Sequence, residues 1–135
     1  MYRCLLVLFL CTAAAALSAC SAPTVPTFPA VESPLRLVAV VPAVGAVLTK
    51  GSTVDMSITV ASEIAGRLTL SIQDQSRVSL LASEPSADIV ARGEANLQAS
   101  FVVPSMASSI QLFATFRPTD ARTSPVVMNV AYATR

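Results

Sequence analysis

The side chains of this chain that could perform acid–base or nucleophilic chemistry are few and scattered along its 135 residues. There is no histidine, so the sequence offers no Ser-His or Cys-His pair and no imidazole metal ligand. Lys50 is the only lysine and falls in a predicted turn, and no serine lies in a Gly-x-Ser-x-Gly segment. The composition therefore excludes most hydrolase mechanisms.

The carboxylates are the remaining candidates for catalysis or metal binding. Asp74, Glu84 and Asp88 fall in or near predicted loops and could supply a general acid/base pair, but nothing in their spacing requires one. No Asp-rich stretch has the spacing of a calcium loop. We therefore predict that the protein is not an enzyme, with no catalytic residue, no cofactor and no metal site.

The N-terminal segment has the layout of a secretory signal. Arg3 is its only charge, and residues 5–17 form an uninterrupted apolar and small-residue run. This run is too short to cross a bilayer, which needs about 20 helical residues. Ser18 and Ala19 follow it as small residues suited to a signal peptidase, so residues 1–19 are predicted to be cleaved.

The end of this segment, with Leu17, Ser18, Ala19 and Cys20 in succession, resembles the lipobox of bacterial lipoproteins. The resemblance implies cleavage between Ala19 and Cys20 and attachment of lipid to the Cys20 thiol. Ser21 follows the cysteine where lipoproteins retained in the inner membrane usually carry Asp, so the resemblance favours the outer membrane. The alternative is a plain secreted protein in which Cys20 is accidental.

The remaining chain is long enough for one domain and nearly neutral. The chain has nine basic and eight acidic residues, and the removal of Arg3 leaves eight of each. A balanced, unclustered charge gives no reason to bind nucleic acid. Cys4 and Cys11 lie in the signal segment and Cys20 would be lipidated, so no disulfide is expected in the domain.

Residues 20–34 are predicted to be a linker. Four prolines recur there among small residues, at Pro23, Pro26, Pro29 and Pro34. This spacing favours extended chain, which suits a tether between a membrane anchor and a domain. A disordered terminus with no selected length is the alternative.

From Leu35 onward, apolar residues alternate with polar ones at the period of a β-strand. In the first segment, Leu35, Leu37, Ala39 and Val41 are predicted to share one face. Pro104 is predicted to stop a later strand, because proline cannot donate to the ladder. Predicted strands cover residues 35–41, 54–60, 67–73, 77–82, 94–103, 110–117 and 126–133, with an edge strand at 87–91.

Short strands separated by regular turn signals indicate an antiparallel sandwich or barrel. The spacing of Pro42, Gly45, Leu48 and Gly51 before Val54 resembles the opening of bacterial immunoglobulin-like domains. The predicted fold is all-β: a single antiparallel immunoglobulin-like β-sandwich of about seven strands over residues 35–135. Transthyretin-like and fibronectin type III-like sandwiches remain open alternatives.

Two apolar residues at outward strand positions suggest a surface that binds a partner. Phe101 and Phe116 fall on inward faces and are assigned to the core, whereas Phe113 and Val102 fall on outward faces near Val126 and Val127. An exposed apolar sheet face often marks a binding surface. The alternative is that a neighbouring strand or loop covers it.

The predicted function is that of a lipid-anchored bacterial envelope lipoprotein, held to the membrane through Cys20 and binding an envelope protein of unknown identity. Its domain would be a non-enzymatic structural or interaction module. One alternative is a pilotin-like assembly factor of a secretion or envelope complex, an analogy from fold and location. The other is an extracytoplasmic module that binds a small ligand or carbohydrate.

Overall fold

The structure is a computed structural model that describes residues 33–135 of the chain. These residues form eight β-strands and no helix. The predicted signal segment and residues 20–32 of the predicted linker lie outside the described residues. The strands are β1 Leu35–Val41, β2 Val47–Leu48, β3 Thr53–Ser62, β4 Gly66–Asp74, β5 Ser86–Ile89, β6 Gly93–Val102, β7 Ser109–Pro118 and β8 Val126–Thr134.

The strands form two sheets that enclose one core. One sheet has three strands in the order β1-β3-β6, and the other has five in the order β2-β8-β7-β4-β5. The β3–β6 pair of one sheet faces the β4, β7 and β8 strands of the other, which is the arrangement of an immunoglobulin-like sandwich. The predicted all-β immunoglobulin-like fold is confirmed, although β2 pairs with β8 in parallel.

The core is built from the alternating apolar rows that the sequence predicts. On β4, Leu68, Leu70 and Ile72 are fully buried, and β3, β6 and β7 contribute similar rows. Among the described residues, Ser62 is the one buried polar residue, and its hydroxyl donates to the carbonyl of Ile64 at 2.7 Å. Buried rows at period two on both sheets explain why the sheets pack face to face.

The first strand differs from its predicted pattern. The register between β1 and β3 shifts between Leu37 and Ala39, which marks a β-bulge. Because one residue is inserted, the inward positions change from odd to even numbers. Leu37 and Val40 pack on the core, whereas Val41 is 58% exposed, so the prediction that Ala39 and Val41 share the face of Leu35 was wrong.

Residues 77–82 do not form the predicted strand. The Asp74 carboxylate accepts hydrogen bonds from the backbone N–H groups of Ser76 and Val78, which turns the chain after β4. Arg77 has a φ of +63°, a left-handed conformation that no strand contains. The segment beyond it runs beside β4 with a single bridge, between Gln73 and Ser79. The predicted edge strand nearby exists, as Ser86–Ile89.

A short connection after β1 carries the chain from one sheet to the other. The two residues of β2 pair with Ala133 and Thr134 of β8. Tyr132, which is 1% exposed, lies beside this crossing, and its hydroxyl donates to the carbonyl of Pro42 at 2.8 Å. The side chain therefore fastens the last strand to the point where the chain changes sheets.

We expect Tyr132→Phe to destabilise the fold by about 1 kcal/mol near pH 7, because it removes one hydrogen bond and keeps the ring. Burial raises the pKa of Tyr132 above its ordinary value of 10.0. The unfolded chain therefore ionises before the folded one, and the wild-type protein loses stability as the pH rises above about 10. Urea unfolding of both proteins across this range should show their difference shrinking; a constant difference would contradict the assignment.

Candidate functional site

The outer face of the five-stranded sheet contains Phe113, one of the two residues predicted to contact a partner. Phe113 lies at the centre of β7, opposite Ser71 of β4 and Asn129 of β8. The next row along the sheet places Thr115 between Thr69 and Val127. Directly opposite residues in antiparallel strands point to the same face, so these side chains form one continuous surface.

This surface contains a shallow, open depression. Its volume is about 560 Å³. Phe113 is half-buried in it and Val127, at its side, is 57% exposed. The lining residues are Arg67, Thr69, Ser71, Gln73, Glu84, Phe113, Thr115, Arg117 and Val127. An aromatic ring and an exposed valine among hydroxyl, amide and charged groups make an amphipathic surface. Because the depression is open, its occupant would remain in contact with water.

Charged side chains surround one end of the depression. Arg67 lies directly opposite Arg117 on β7 and opposite Asp88 on β5. One Arg67 guanidinium nitrogen is 3.9 Å from an Asp88 carboxylate oxygen, and another donates to the Ser86 hydroxyl at 2.9 Å. Both partners of the ion pair are largely exposed, so the pair contributes little to stability. Its effect is to orient Arg67 toward β5.

Val102, the other residue predicted to contact a partner, lies on the opposite side of the sandwich. It belongs to β6 of the three-stranded sheet and is 57% exposed. That outer face is mainly polar: the Asn96 amide donates to the hydroxyls of Ser57 at 3.0 Å and Thr59 at 2.8 Å. The structure therefore does not bring Val102 and Phe113 together, and only Phe113 is accompanied by Val127.

The loop carboxylates considered for catalysis have separate surroundings. Asp74 caps the turn after β4, Asp88 pairs with Arg67, and Glu84 lines the depression. Within residues 33–135, no three His, Cys, Asp or Glu side chains come close enough together to hold a metal ion.

The residues predicted to be cleaved and lipidated, Ala19 and Cys20, lie outside the described part of the chain. Cleavage between Ala19 and Cys20 and lipidation of Cys20 remain predictions from the sequence motif. Among the residues that the structure describes, there is no helix with the length and hydropathy needed to cross a bilayer.

The described part of the chain is, by its own strand order, an immunoglobulin-like β-sandwich. No protein-family model matches the sequence. No curated protein matches it either.

Among the solved structures to which this chain is similar are two domains of low sequence identity. The C-terminal domain of Wzt has a TM-score of 0.45 and 9% identity, over 77% of this chain and 75% of that one. The CARDB domain of a Pyrococcus furiosus protein, crystallised in complex with di-metal ions, has a TM-score of 0.47 and 9% identity, over 75% of this chain and 84% of that one. At such identities the likeness concerns the fold alone.

The charged part of this surface was not predicted from the sequence. Arg67 and Arg117 occupy outward strand positions, where single charges are normally just solvated. Their direct opposition depends on the register between β4 and β7, which no local pattern reveals. The outward position of Phe113, near Val126 and Val127, was the one signal available from the sequence.

Proposed function

We propose that this protein is a lipid-anchored bacterial envelope lipoprotein whose β-sandwich is a non-enzymatic module that binds another envelope protein. Support for the location comes from the motif formed by Leu17, Ser18, Ala19 and Cys20, and Ser21 favours the outer membrane. Acyl chains on Cys20 would hold the protein durably, because each buried methylene contributes about 0.8 kcal/mol.

The observation that carries the binding proposal is the apolar pair formed by half-buried Phe113 and exposed Val127 in the depression on the five-stranded sheet. A partner segment that inserts an apolar side chain here would cover both residues. An acidic group beside that side chain would reach Arg117, which is exposed at the same end of the depression as Arg67. Apolar contact surrounded by polar groups is the usual composition of a protein interface.

The test uses a pair of valines that are matched in exposure. Val127 and Val102 are each 57% exposed, on the outer faces of opposite sheets. We expect Val127→Asp to reduce crosslinking of the full chain to its envelope partner about tenfold or more, because the carboxylate replaces the apolar contact and competes with the partner's acidic group for Arg117. Val102→Asp should leave crosslinking unchanged. In both cases the membrane-associated protein is crosslinked in intact cells, and the captured neighbour is identified by mass spectrometry.

Equal capture by the two variants would contradict the proposed surface. Failure to capture any protein, together with binding of soluble oligosaccharides that Phe113→Ala abolishes, would replace this function with the carbohydrate-binding alternative. In that alternative the Phe113 ring would stack on a sugar and the surrounding hydroxyls would bond to it. Capture of a secretin-type channel subunit would favour the pilotin-like alternative, which rests on fold and location alone.

A further inference from the structure

Two of the four sheet edges in the described sandwich, those of β1 and β5, carry features that hinder the addition of another strand. The β1 edge contains the bulge between Leu37 and Ala39 and is followed by Pro42. β5 has four residues and follows Pro85, whereas the two residues of β2 cover only Ala133 and Thr134 at the end of β8. Bulges, prolines and very short strands are the means by which proteins keep sheet edges from pairing.

The β6 edge has none of these features, and its ten residues exceed the uncovered part of β8, residues 126–132. Its ten residues, Gly93–Val102, pair with β3 without a register shift. Within the described residues, β3 is the only strand that pairs with β6, so half of its backbone N–H and C=O groups face away from the sheet. The strand contains no proline and no lysine, and Glu94 is its one charge. Such an edge is a template for another strand.

We propose that β6 pairs antiparallel with β6 of a second copy of this chain, joining two three-stranded sheets into one of six. Opposite residues in an antiparallel pair share a face, so even-numbered residues, which point outward here, must oppose even-numbered ones. A twofold axis at Leu97 meets this condition and aligns nine of the ten residues, 93–101, with their counterparts.

The side chains of β6 are complementary to themselves in this register. Asn96 of each copy lies opposite Gln98 of the other, which allows amide hydrogen bonds between them. Glu94 lies opposite Ser100, whose hydroxyl can donate to the carboxylate. The two Glu94 side chains lie about 20 Å apart, six residues along the ladder, so they do not repel each other strongly.

The linker of the same chain is a poor competitor for this edge. Prolines at positions 23, 26 and 29 leave only short runs with backbone N–H groups to donate. A strand from a different protein could use the same backbone groups, but the matched polar row of β6 favours a second copy. The pairing does not depend on lipidation or on the surface around Phe113, so it goes beyond the proposed function.

The test is sedimentation velocity on the full chain in mild detergent with a reducing agent, over a range of concentrations. The wild-type protein should form a dimer. Ser100→Glu places a carboxylate opposite Glu94 at both ends of the pairing, and should weaken association about fivefold. Glu94→Lys combined with Ser100→Glu restores opposite charges across the twofold axis. It should recover most of the wild-type affinity, but not all of it, because Asp55 of β3 still lies opposite the new carboxylate within the same chain. Ser105→Glu, the same substitution in an exposed turn outside β6, is the control and should change nothing.

Recovery in the double variant would show that residues 94 and 100 meet across the twofold axis, since a variant that merely unfolds cannot be rescued by a second charge. A wild-type protein that stays monomeric at all concentrations would overturn the proposal. So would a dimer indifferent to Ser100→Glu, because another surface would then form it. Slowed hydrogen exchange of β6 amides only when a different protein is added would also overturn it, in favour of a strand from that protein.

Discussion

Replacing Cys20 by Ala is expected to abolish the incorporation of a labelled fatty acid into the protein. The sulfur of Cys20 is the atom to which the proposed diacylglyceryl group is attached, and alanine has no atom that could replace it. A single acyl chain binds a membrane only marginally, whereas two or three bind durably. Because all of the proposed acyl chains are attached to Cys20, the whole anchor depends on this residue. Labelling of cells followed by immunoprecipitation measures the effect.

Cys11 provides a matched control for this experiment. It lies in the apolar run of the same segment, nine positions before Cys20, and the lipobox motif does not include it. Cys11→Ala should therefore retain the label at the wild-type level. Label that persists in Cys20→Ala, or that is absent from the wild-type protein, would contradict the proposed anchor.

Replacing Phe116 by Ala should destabilise the fold by about 3–5 kcal/mol, which is more than we expect for Tyr132→Phe or Phe113→Ala. Phe116 is fully buried on β7, between the two sheets. Truncation removes its transfer free energy and leaves a cavity in a close-packed core. Because whole domains are stable by about 5–15 kcal/mol, the variant should unfold at a much lower denaturant concentration. Urea unfolding followed by circular dichroism measures this change.

The packing of Phe116 against Gly66 supplies a second, sharper test. A Cβ atom at Gly66 would clash with the Phe116 ring and would lie 2.6 Å from the carbonyl oxygen of Arg117. Gly66→Ala should therefore be strongly destabilising in the wild-type protein and less so in the Phe116→Ala background. The relief should be partial, because the Arg117 carbonyl remains. Additive effects of the two substitutions would contradict the contact.

Phe113→Ala is the control for the core prediction, as it makes the same substitution three residues earlier in β7. Phe113 is half-buried on the outer face, so its removal leaves no enclosed cavity. We expect a loss of about 1 kcal/mol or less. A loss as large as that of Phe116→Ala would contradict the half-buried position of Phe113 on the outer face.

Local alternation predicted the inward rows of β3, β4, β6 and β7, because burial on one face of a strand imposes a period of two. It was wrong about β1 after Leu37, since a bulge changes the parity without changing the apolar composition. It was also wrong about residues 77–82, where the Asp74 carboxylate and the left-handed Arg77 form a turn within a moderately apolar segment. The two residues of β2 were too few to produce a pattern.

The candidate surface was only partly predictable for a different reason. Alternation identifies Phe113 and Val102 as outward residues, but it does not reveal which strands share a sheet. That depends on pairing between distant segments, which places β6 and β7 in different sheets. The row formed by Arg67 and Arg117 likewise requires the register of β4 with β7. Outward positions follow from sequence, whereas their grouping into surfaces follows from topology.

The most direct test of the account is mass spectrometry of the N-terminal tryptic peptide from the membrane-associated wild-type protein. No lysine or arginine lies between Arg3 and Arg36, so one peptide ending at Arg36 contains the whole predicted linker. We expect this peptide to begin at Cys20 and to carry the mass of a diacylglyceryl group. A peptide that begins at another residue, or that contains an unmodified Cys20, would contradict the account.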